Sequence, residues 1–403
     1  MKYKIAFVTG LPNWHFPELY RKLAQHPRID LTMLFCETWN ERFLKQAFGI
    51  EKENFGIDLL EGYKYKFLKN YSLIKPHFNK TRLLSHLNVG IWKEIRGGNY
   101  HAVVITMWND VVYWLAALTC RISNIPFFFA GDSTILTEQA KPAWKRKIKK
   151  FLLGKMLFPL ASGFLYHTRL NYEFYRYYNV HEEKLFFFPL SIDYSGLSQI
   201  AREVRKKKQV LRAKYGIRPE AVVFLFVGRL VKEKRPFDLL KAYVELKQTE
   251  RALTLAFVGD GYLKNDLQHF VSKKGLADVH FFGFRPKTEI PNFYALSDIL
   301  VLPSDYEPHG DVVKEAMCFG LPVIISDKVG AAYDVVEHGV NGLVYPCGDV
   351  EALIRCINEL LDEGKRYCMG ERALEKIKNW DHEVAISGLI NALDSIYGRS
   401  LNK

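Results

Sequence analysis

Two carboxylates, Glu307 and Glu315, stand eight residues apart in the stretch Ala295 to Ser326, ALSDILVLPSDYEPHGDVVKEAMCFGLPVIIS. A carboxylate can accept two hydroxyl hydrogen bonds at once, which suits a vicinal diol. Two cations, Arg229 and Lys234, stand in a second stretch, GRLVKEKRP from Gly228 to Pro236. Arg offers a planar fork and Lys a point charge, a combination that suits a diphosphate. Spacing alone carries little weight, because the 26 Glu of this 403-residue chain form five pairs eight apart, including Glu351/Glu359 and Glu363/Glu371. What separates Glu307/Glu315 from the others is the frame around it.

That frame reads as a strand over Ile299 to Leu302, a loop from Pro303 to Gly310, a helix from Asp311 to Phe319, and a second strand over Pro322 to Ile325 after a Gly320 stop. This is half of a parallel α/β unit. In such sheets ligands sit outside the carboxyl ends of the strands, where the first N–H groups of the following helix point outward, so an anion is expected over Asp311. The cations fall on an equivalent junction. Val222 to Val227 reads as a buried strand, and Pro236 suits the first turn of the next helix, so Arg229 and Lys234 bracket a strand-to-helix loop.

The two stretches together resemble the donor-site signatures of the family 4 retaining glycosyltransferases. The family pattern Ser-x-x-Glu-Pro-(Phe/Trp)-Gly-x-x-x-x-Glu-Ala stands here as Ser304, Glu307, Pro308, His309, Gly310, Glu315 and Ala316, with His309 in place of the aromatic. The signature Gly-Arg-Leu-x-x-x-Lys stands as Gly228, Arg229, Leu230 and Lys234. The resemblance covers nearly the whole chain, densely from 222 to 346 and loosely in the first half. It implies an α/β GT-B fold, with two Rossmann-like parallel-sheet domains facing a cleft and a C-terminal helix crossing back to the first domain. The expected divisions are 1–195 for the acceptor side, 196–379 for the nucleotide-sugar donor side, and 380–403 for the returning helix. Arg229 and Lys234 would hold the leaving diphosphate, Glu307 the donor sugar and Glu315 the ribose, with Gly10, Arg285, His309, Gly310, Asp311 and Val312 completing the donor site. The backbone of Gly283-Phe284-Arg285 would contact the base.

The first half opens with a strand over Lys4 to Thr9, then Gly10-Leu-Pro-Asn-Trp-His15, then a helix from about Glu18 to Gln25. Gly10 lets backbone approach a ligand closely. His15 is carried over to the acceptor side by resemblance, and its plain alternative is a surface or aromatic-packed histidine. Strand-like runs at Leu31 to Phe35, Ala102 to Ile105, Phe127 to Ala130, Gly163 to Tyr166 and Leu185 to Phe188 alternate with helical patterns, so the sheet should be parallel. Residues 40 to 80 carry no clean periodicity and are left unassigned. Three strand ends carry polar groups: Thr106-Met-Trp-Asn109-Asp110, Gly131-Asp132-Ser133 and His167-Thr168-Arg169. Relatives often have an active-site His after the first of these strands, where this chain has Thr106 and Met107. Trp-Asn followed by Gly-Asp-Ser resembles a subgroup in which these residues line the acceptor cleft, which makes Asn109 and Asp132 acceptor-side candidates. For Asp132 the plain alternative is capping of the following helix.

Length and composition set outer limits. At 403 residues two domains are expected, and 48% hydrophobic with 25% charged residues is globular rather than disordered. The six Cys are scattered, with no CxxC and no Cys/His ligand spacing, so a reduced cytoplasmic setting is expected. The apolar run in MKYKIAFVTG is too short for a signal sequence, and no run approaches the ~20 residues that span a bilayer. Net charge is +13, and it is uneven: residues 1–195 hold 27 Lys and Arg against 16 Asp and Glu. In the segment 141–157, KPAWKRKIKKFLLGKML, Trp144, Ile148, Phe151 and Leu152 fall on one helical face and Lys145, Arg146, Lys149 and Lys150 on the other. Such a helix either lies on an anionic membrane or turns its apolar stripe to the core. Peripheral placement on the inner face of a membrane would follow from the first reading. After 196, Ala201 to Tyr215 reads as a charged linker helix, Asp349 to Asp362 as a helix, and Trp380 to Tyr397 as the last helix.

The activity the resemblance implies is retaining transfer of a sugar from a nucleotide-diphosphate sugar, UDP- or GDP-linked, to a saccharide or lipid-linked acceptor of a bacterial surface polysaccharide. No Asp-x-Asp occurs in the chain, so no metal is expected and no cofactor beyond the nucleotide-sugar co-substrate. A GT-B epimerase or phosphorylase, and a non-catalytic nucleotide-sugar-binding relative, are the alternatives. Nucleic acid suits the charge but finds no motif, and is not expected as a partner.

Overall fold

In the computed structural model the described residues are 2–12, 16–37, 58–74, 83–247, 252–307 and 309–398. They form two compact units, Met1–Ser191 with His382–Lys403, and Ile192–Asp381. The expected divisions at 195/196 and 379/380 lie within a few residues of these limits.

The first unit holds seven strands: β1 (Tyr3–Thr9), β2 (Ile29–Phe35), β3 (Lys64–Phe67), β4 (Ala102–Ile105), β5 (Phe127–Phe129), β6 (Gly163–Tyr166) and β7 (Leu185–Phe187). Their spatial order is β3-β2-β1-β4-β5-β6-β7, and every pairing is parallel. Central strands of a parallel sheet are covered on both faces, which is why β4 and β5 read AVVI and FFF without polar alternation and are fully buried. β3 lies in the stretch that periodicity left unassigned. Its sequence KYKF is mostly exposed at the sheet edge, with Lys64 on Asp30 and Lys66 on Glu94, so edge charges replace the apolar pattern that marks a strand.

The C-terminal helix His382–Tyr397 belongs to this unit. Its Ala385, Ile386, Leu389, Ala392 and Leu393 share a core with Tyr3, Ile5, Phe7 and Leu31. Gly388 lies so close to the Phe187 carbonyl that a Cβ there would stand 1.7 Å from the oxygen. The Tyr3 hydroxyl and the Arg28 guanidinium both donate to Asp394.

The second unit holds β8 (Val222–Val227), β9 (Leu253–Val258), β10 (Val279–Phe281), β11 (Ile299–Leu302), β12 (Val323–Ser326) and β13 (Gly342–Tyr345), all parallel, in the order β10-β9-β8-β11-β12-β13. In both sheets the order reverses beside the first strand, between β1 and β4 and between β8 and β11. Loops leaving those pairs part to opposite faces of the sheet and open a crevice at the carboxyl ends, where ligands of doubly wound sheets bind.

One sequence expectation changes. The segment from Ala201 to Tyr215 is not a linker. A helix starts earlier, at Tyr194, tightens into a 3₁₀ turn at Arg205–Lys207 and resumes over Lys208–Lys214, packing within this unit against the Ile290–Leu296 helix. Arg212 explains the fixed position: only 3% exposed, it donates to the Leu296 and Pro219 carbonyls and to Asp298. The helix expected from Asp349 to Asp362 forms over Val350–Glu359, and a second helix, Glu363–Ile377, follows it. Val350–Glu359 is capped by Asp349 and Glu363–Ile377 by Asp362, each side chain accepting a backbone N–H.

Candidate functional site

The β8/β11 reversal carries the chemistry-bearing residues of the second unit. After β8 the chain passes Gly228 and Arg229, forms a 3₁₀ turn over Lys232–Lys234, and enters the Pro236–Leu246 helix through Arg235. Arg235 sits at φ 48, ψ 44, in the left-handed region that costs an L side chain about 1–2 kcal/mol. Its guanidinium is held at 2.7 Å by Asp238 in the first turn of that helix. The bend turns Lys234 back toward the loop after β11.

There the Lys234 ammonium donates to Glu307 Oε2. Glu307 Oε1 accepts the Gly310 N–H at 3.2 Å and the His309 N–H at 3.4 Å. Burial pushes the Glu307 carboxyl upward, but the Lys234 charge and hydrogen bond, aided by the Gly310 N–H, outweigh it and hold the group below the usual carboxylate range. The loop is fixed from the far side as well, since Gly330 donates to the Glu307 carbonyl at 2.7 Å. A carboxylate offers about four acceptor positions. With three filled, Glu307 retains room for about one further donor such as a hydroxyl.

Gly310 opens the Asp311–Cys318 helix at φ 70, ψ 47. A Cβ at that position would stand 3.0 Å from Val329 Cγ1 and 3.1 Å from the Ala331 Cβ, so glycine answers both the backbone angle and the space. The first N–H groups of this helix have no acceptor within it and carry its positive dipole end. Asp311 and Val312 occupy those positions, with Lys314, 2% exposed, paired to Asp311 at 2.7 Å. One turn on, Glu315 Oε2 accepts from the buried Tyr294 hydroxyl at 2.8 Å. Lys234, Glu307, Gly310 and Asp311 are thus joined through one set of contacts, and Glu315 rides on the same helix.

Other expected positions stand apart from that set. Arg229 is exposed at the mouth of β8. The Arg285 side chain turns onto its own segment, donating to the Phe282 carbonyl at 3.0 Å and to Glu289 at 3.2 Å, and the Gly283 carbonyl accepts the Gly259 N–H at 2.8 Å. In the first unit, Gly10 follows β1 beside the Tyr113 hydroxyl, and Asn109 and Asp132 are exposed at the ends of β4 and β5. His15 lies outside the described residues.

Asp132 is not the cap of the helix that follows. Thr134 takes that position and forms a reciprocal capping pair with Thr137. Trp108 and Gly131, read as lining a ligand cleft, are core: Trp108 stacks on Phe174 at 5.5 Å and Gly131 is buried against it. His167 is buried between the Phe188 and Ala130 carbonyls, and Thr168 caps the Arg169–Tyr177 helix, so that third strand end is structural.

Sequence reasoning passed over Arg235, Lys314 and Tyr294, which position the carboxylates and Lys234. A polar residue directly before the helix-starting Pro236 was the available signal for Arg235. It also passed over a buried pair in the first unit, His86 Nδ1 with Asp110 Oδ2 at 2.8 Å, in which Asp110 also caps the Val111–Ile122 helix.

Residues 207–376 match the family described as glycosyl transferases group 1. Alpha-D-kanosaminyltransferase of Streptomyces kanamyceticus is 31% identical over 173 residues, 42% of this chain and 44% of that protein. Alpha-monoglucosyldiacylglycerol synthase of Acholeplasma laidlawii is 33% identical over 139 residues, 34% of each chain. The chain thus spans less than half the length of these relatives. Among solved structures, Anabaena HepE in complex with UDP superposes with a TM-score of 0.71 over 98% of this chain and 100% of that one, at 19% identity, a likeness that concerns the fold. Over residues 207–376 the chain is similar to the group 1 glycosyl transferases, and its fold is α/β GT-B.

Proposed function

We propose that this protein is a retaining glycosyltransferase that moves a hexose-type sugar from a nucleoside-diphosphate sugar, UDP- or GDP-linked, to a saccharide or lipid-linked acceptor of a bacterial surface polysaccharide. The observation that carries the reading is the Lys234–Glu307 contact beside the Asp311 helix terminus at the β8/β11 reversal. It sets a cation, a carboxylate and outward N–H groups where a sugar diphosphate presents phosphate charge and hydroxyls.

In this reading the bond from the anomeric carbon to the diphosphate loosens first, and its departure is driven by stabilising the charge that grows on the phosphate. Lys234, Arg229 and the N–H groups of Asp311 and Val312 meet that charge. Glu307 spends its remaining acceptor position on a sugar hydroxyl, and its hold on Lys234 keeps the ammonium aimed at the phosphate. Glu315, braced by Tyr294, takes the ribose diol, and the backbone of Gly283 to Arg285 takes the base. His309, where an aromatic is usual, shapes the pocket beside the sugar. A phosphate oxygen of the leaving group accepts the proton of the acceptor hydroxyl, so no protein base is required. Gly10 is assigned to the donor site, and His15, Asn109 and Asp132 to the acceptor side. Two cations perform the charge neutralisation for which other transferases use a metal. Among the described residues no helix is long and apolar enough to cross a membrane, and a peripheral, cytoplasmic placement is part of the proposal.

The test is a thermal-shift and donor-hydrolysis screen of UDP-, GDP-, ADP- and dTDP-sugars, because a ligand bound to the folded state alone raises the melting temperature. One nucleotide series should shift it, and Lys234→Ala should abolish the shift. No shift with any series would overturn the donor assignment.

A further inference from the structure

The Ala143–Lys149 helix runs without a break into a π-helix over Lys150–Leu157. This change of winding has a consequence for the side chains. An α-helix turns once in ~3.6 residues, so a four-residue step overshoots a full turn. A π-helix closes its bonds at i→i+5 and takes more residues per turn, so the same step falls short. Joined end to end, the two drifts cancel, and residues spaced by four stay in line along the segment. The line they form is apolar and exposed: Trp144 61%, Ile148 53%, Leu152 39% and Met156 48%, with Phe151 alongside at 57%. One residue further on, Leu153 and Leu157 are buried at 3% and 2%. A continuous α-helix would have wound the first line into the core within three turns.

The opposite side of the segment is tied down. Lys149 reaches Glu138, which is fully buried, at 2.5 Å, and Lys141 and the Tyr178 hydroxyl reach the same carboxylate at 2.8 Å. The rotational setting of the exposed line is therefore fixed by the body of the unit. The core reading of the apolar stripe, open at the sequence level, is excluded by these exposures.

The charge around the line is of one sign. No Asp or Glu occurs from 139 to 172, a span that holds eight Lys and Arg. Lys145, Lys147 and Lys155 are exposed beside the apolar residues. We infer that the 143–157 face is a docking surface for an anionic bilayer, with Trp144, Ile148, Phe151, Leu152 and Met156 entering the headgroup boundary and Lys145, Lys147 and Lys155 meeting lipid phosphates. An apolar row within a basic surround, lying flat on a folded body, is the arrangement by which an interfacial helix binds without spanning. A protein partner for the same row would need acidic groups matched to three fixed lysines, whereas an anionic lipid surface supplies them at any position.

The full-length protein is mixed with phosphatidylcholine vesicles with and without phosphatidylglycerol, and the pelleted fraction is measured. Wild type pellets with the anionic vesicles and stays in the supernatant with the neutral ones. Trp144→Ser with Phe151→Ser removes two already exposed side chains, so its fold, checked by melting temperature, is kept while binding weakens at least about tenfold. Lys145→Gln, Lys147→Gln and Lys155→Gln together weaken it on the order of a hundredfold, at about fivefold per lysine. Tyr367→Ser, 67% exposed in the other unit, leaves binding unchanged. No pelleting of wild type, or undiminished pelleting of the Trp144/Phe151 variant, overturns the inference. So does a dimer in light scattering without vesicles that the same variant dissociates, which would make a second copy the occupant. Vesicle binding is read without donor and the donor shift without vesicles, so this surface and the transferase reading fail separately.

Discussion

Lys234 and Glu307, 73 residues apart in sequence, are joined by a hydrogen-bonded ion pair whose side chains are 14% and 19% exposed. The pair ties the loop after β8 to the loop after β11, across the reversal of strand order that opens the crevice. Partial exposure lowers its contribution below that of a fully buried pair.

Lys234→Met should lower stability by about 1–3 kcal/mol at neutral pH, because it leaves the Glu307 carboxylate part-buried without its cation. Glu307 is held below its ordinary range in the folded wild type. A depressed carboxyl contributes its stability above the unfolded value of ~4.3 and loses it as pH falls through the folded one. The difference in Tm between wild type and variant should therefore hold above pH ~5 and narrow as pH is lowered below ~4.3. Transfer should drop by roughly 10²–10³ if the ammonium meets the departing phosphate. A constant Tm gap with full activity would contradict both statements.

Gly310→Ala should cost about 1–2 kcal/mol, since alanine pays for the left-handed backbone and its Cβ presses on Val329 and Ala331. The helix terminus and the Gly310 N–H that binds Glu307 would shift together. Weakened donor binding accompanied by a lower Tm is the expected pair of results, by calorimetry on wild type and variant.

Arg235 separates backbone strain from charge. Arg235→Ala removes the contact to Asp238 and keeps the left-handed angle, whereas Arg235→Gly removes both the contact and the strain. The glycine variant should be the more stable of the two by about 1 kcal/mol, read from denaturant midpoints. Equal midpoints would show that the angle at 235 relaxes.

Arg212→Met is the control for a structural ion pair away from the donor residues. Asp298 accepts from Arg212, Lys208 and the Val223 N–H, so removing the guanidinium leaves two backbone carbonyls and a carboxylate short of a donor. A loss on the order of 3–5 kcal/mol is expected. Donor-induced stabilisation should persist at temperatures where the variant remains folded.

Metal removal should leave transfer unchanged. The expectation rests on the absence of Asp-x-Asp from the sequence and on Lys234 and Arg229 as the proposed counter-charges. Assay in excess EDTA, with and without added Mg²⁺, checks it. A loss restored by the ion would reassign the diphosphate site.

The alternation of apolar strands and amphipathic helices is a local property, and it gave the parallel sheets and most element limits directly. Ile299–Leu302 is such a case: four apolar residues before Pro303 can be little else than a buried strand. Glu307, Gly310 and Glu315 were legible because a helix-starting glycine and two carboxylates sit within one strand–loop–helix unit. What the sequence by itself could not decide was partnership and direction. β3 went unread because an edge strand needs no apolar face, and the Ala201 to Tyr215 segment was taken for a linker helix because the anchor of its Lys208 and Arg212, Asp298, lies far along the chain. Trp108 looked available for a ligand until the Phe174 ring was set against it, and Gly131 until Trp108 was packed on it. Lys234 was expected to face a phosphate, and only the fold gives it a carboxylate to hold. The 143–157 segment shows the division most plainly. Its residues determine an amphipathic helix, but which side meets solvent depends on the winding of Lys150–Leu157 and on the buried grip of Glu138 on Lys149, both of which arise from contacts between residues that the sequence leaves apart.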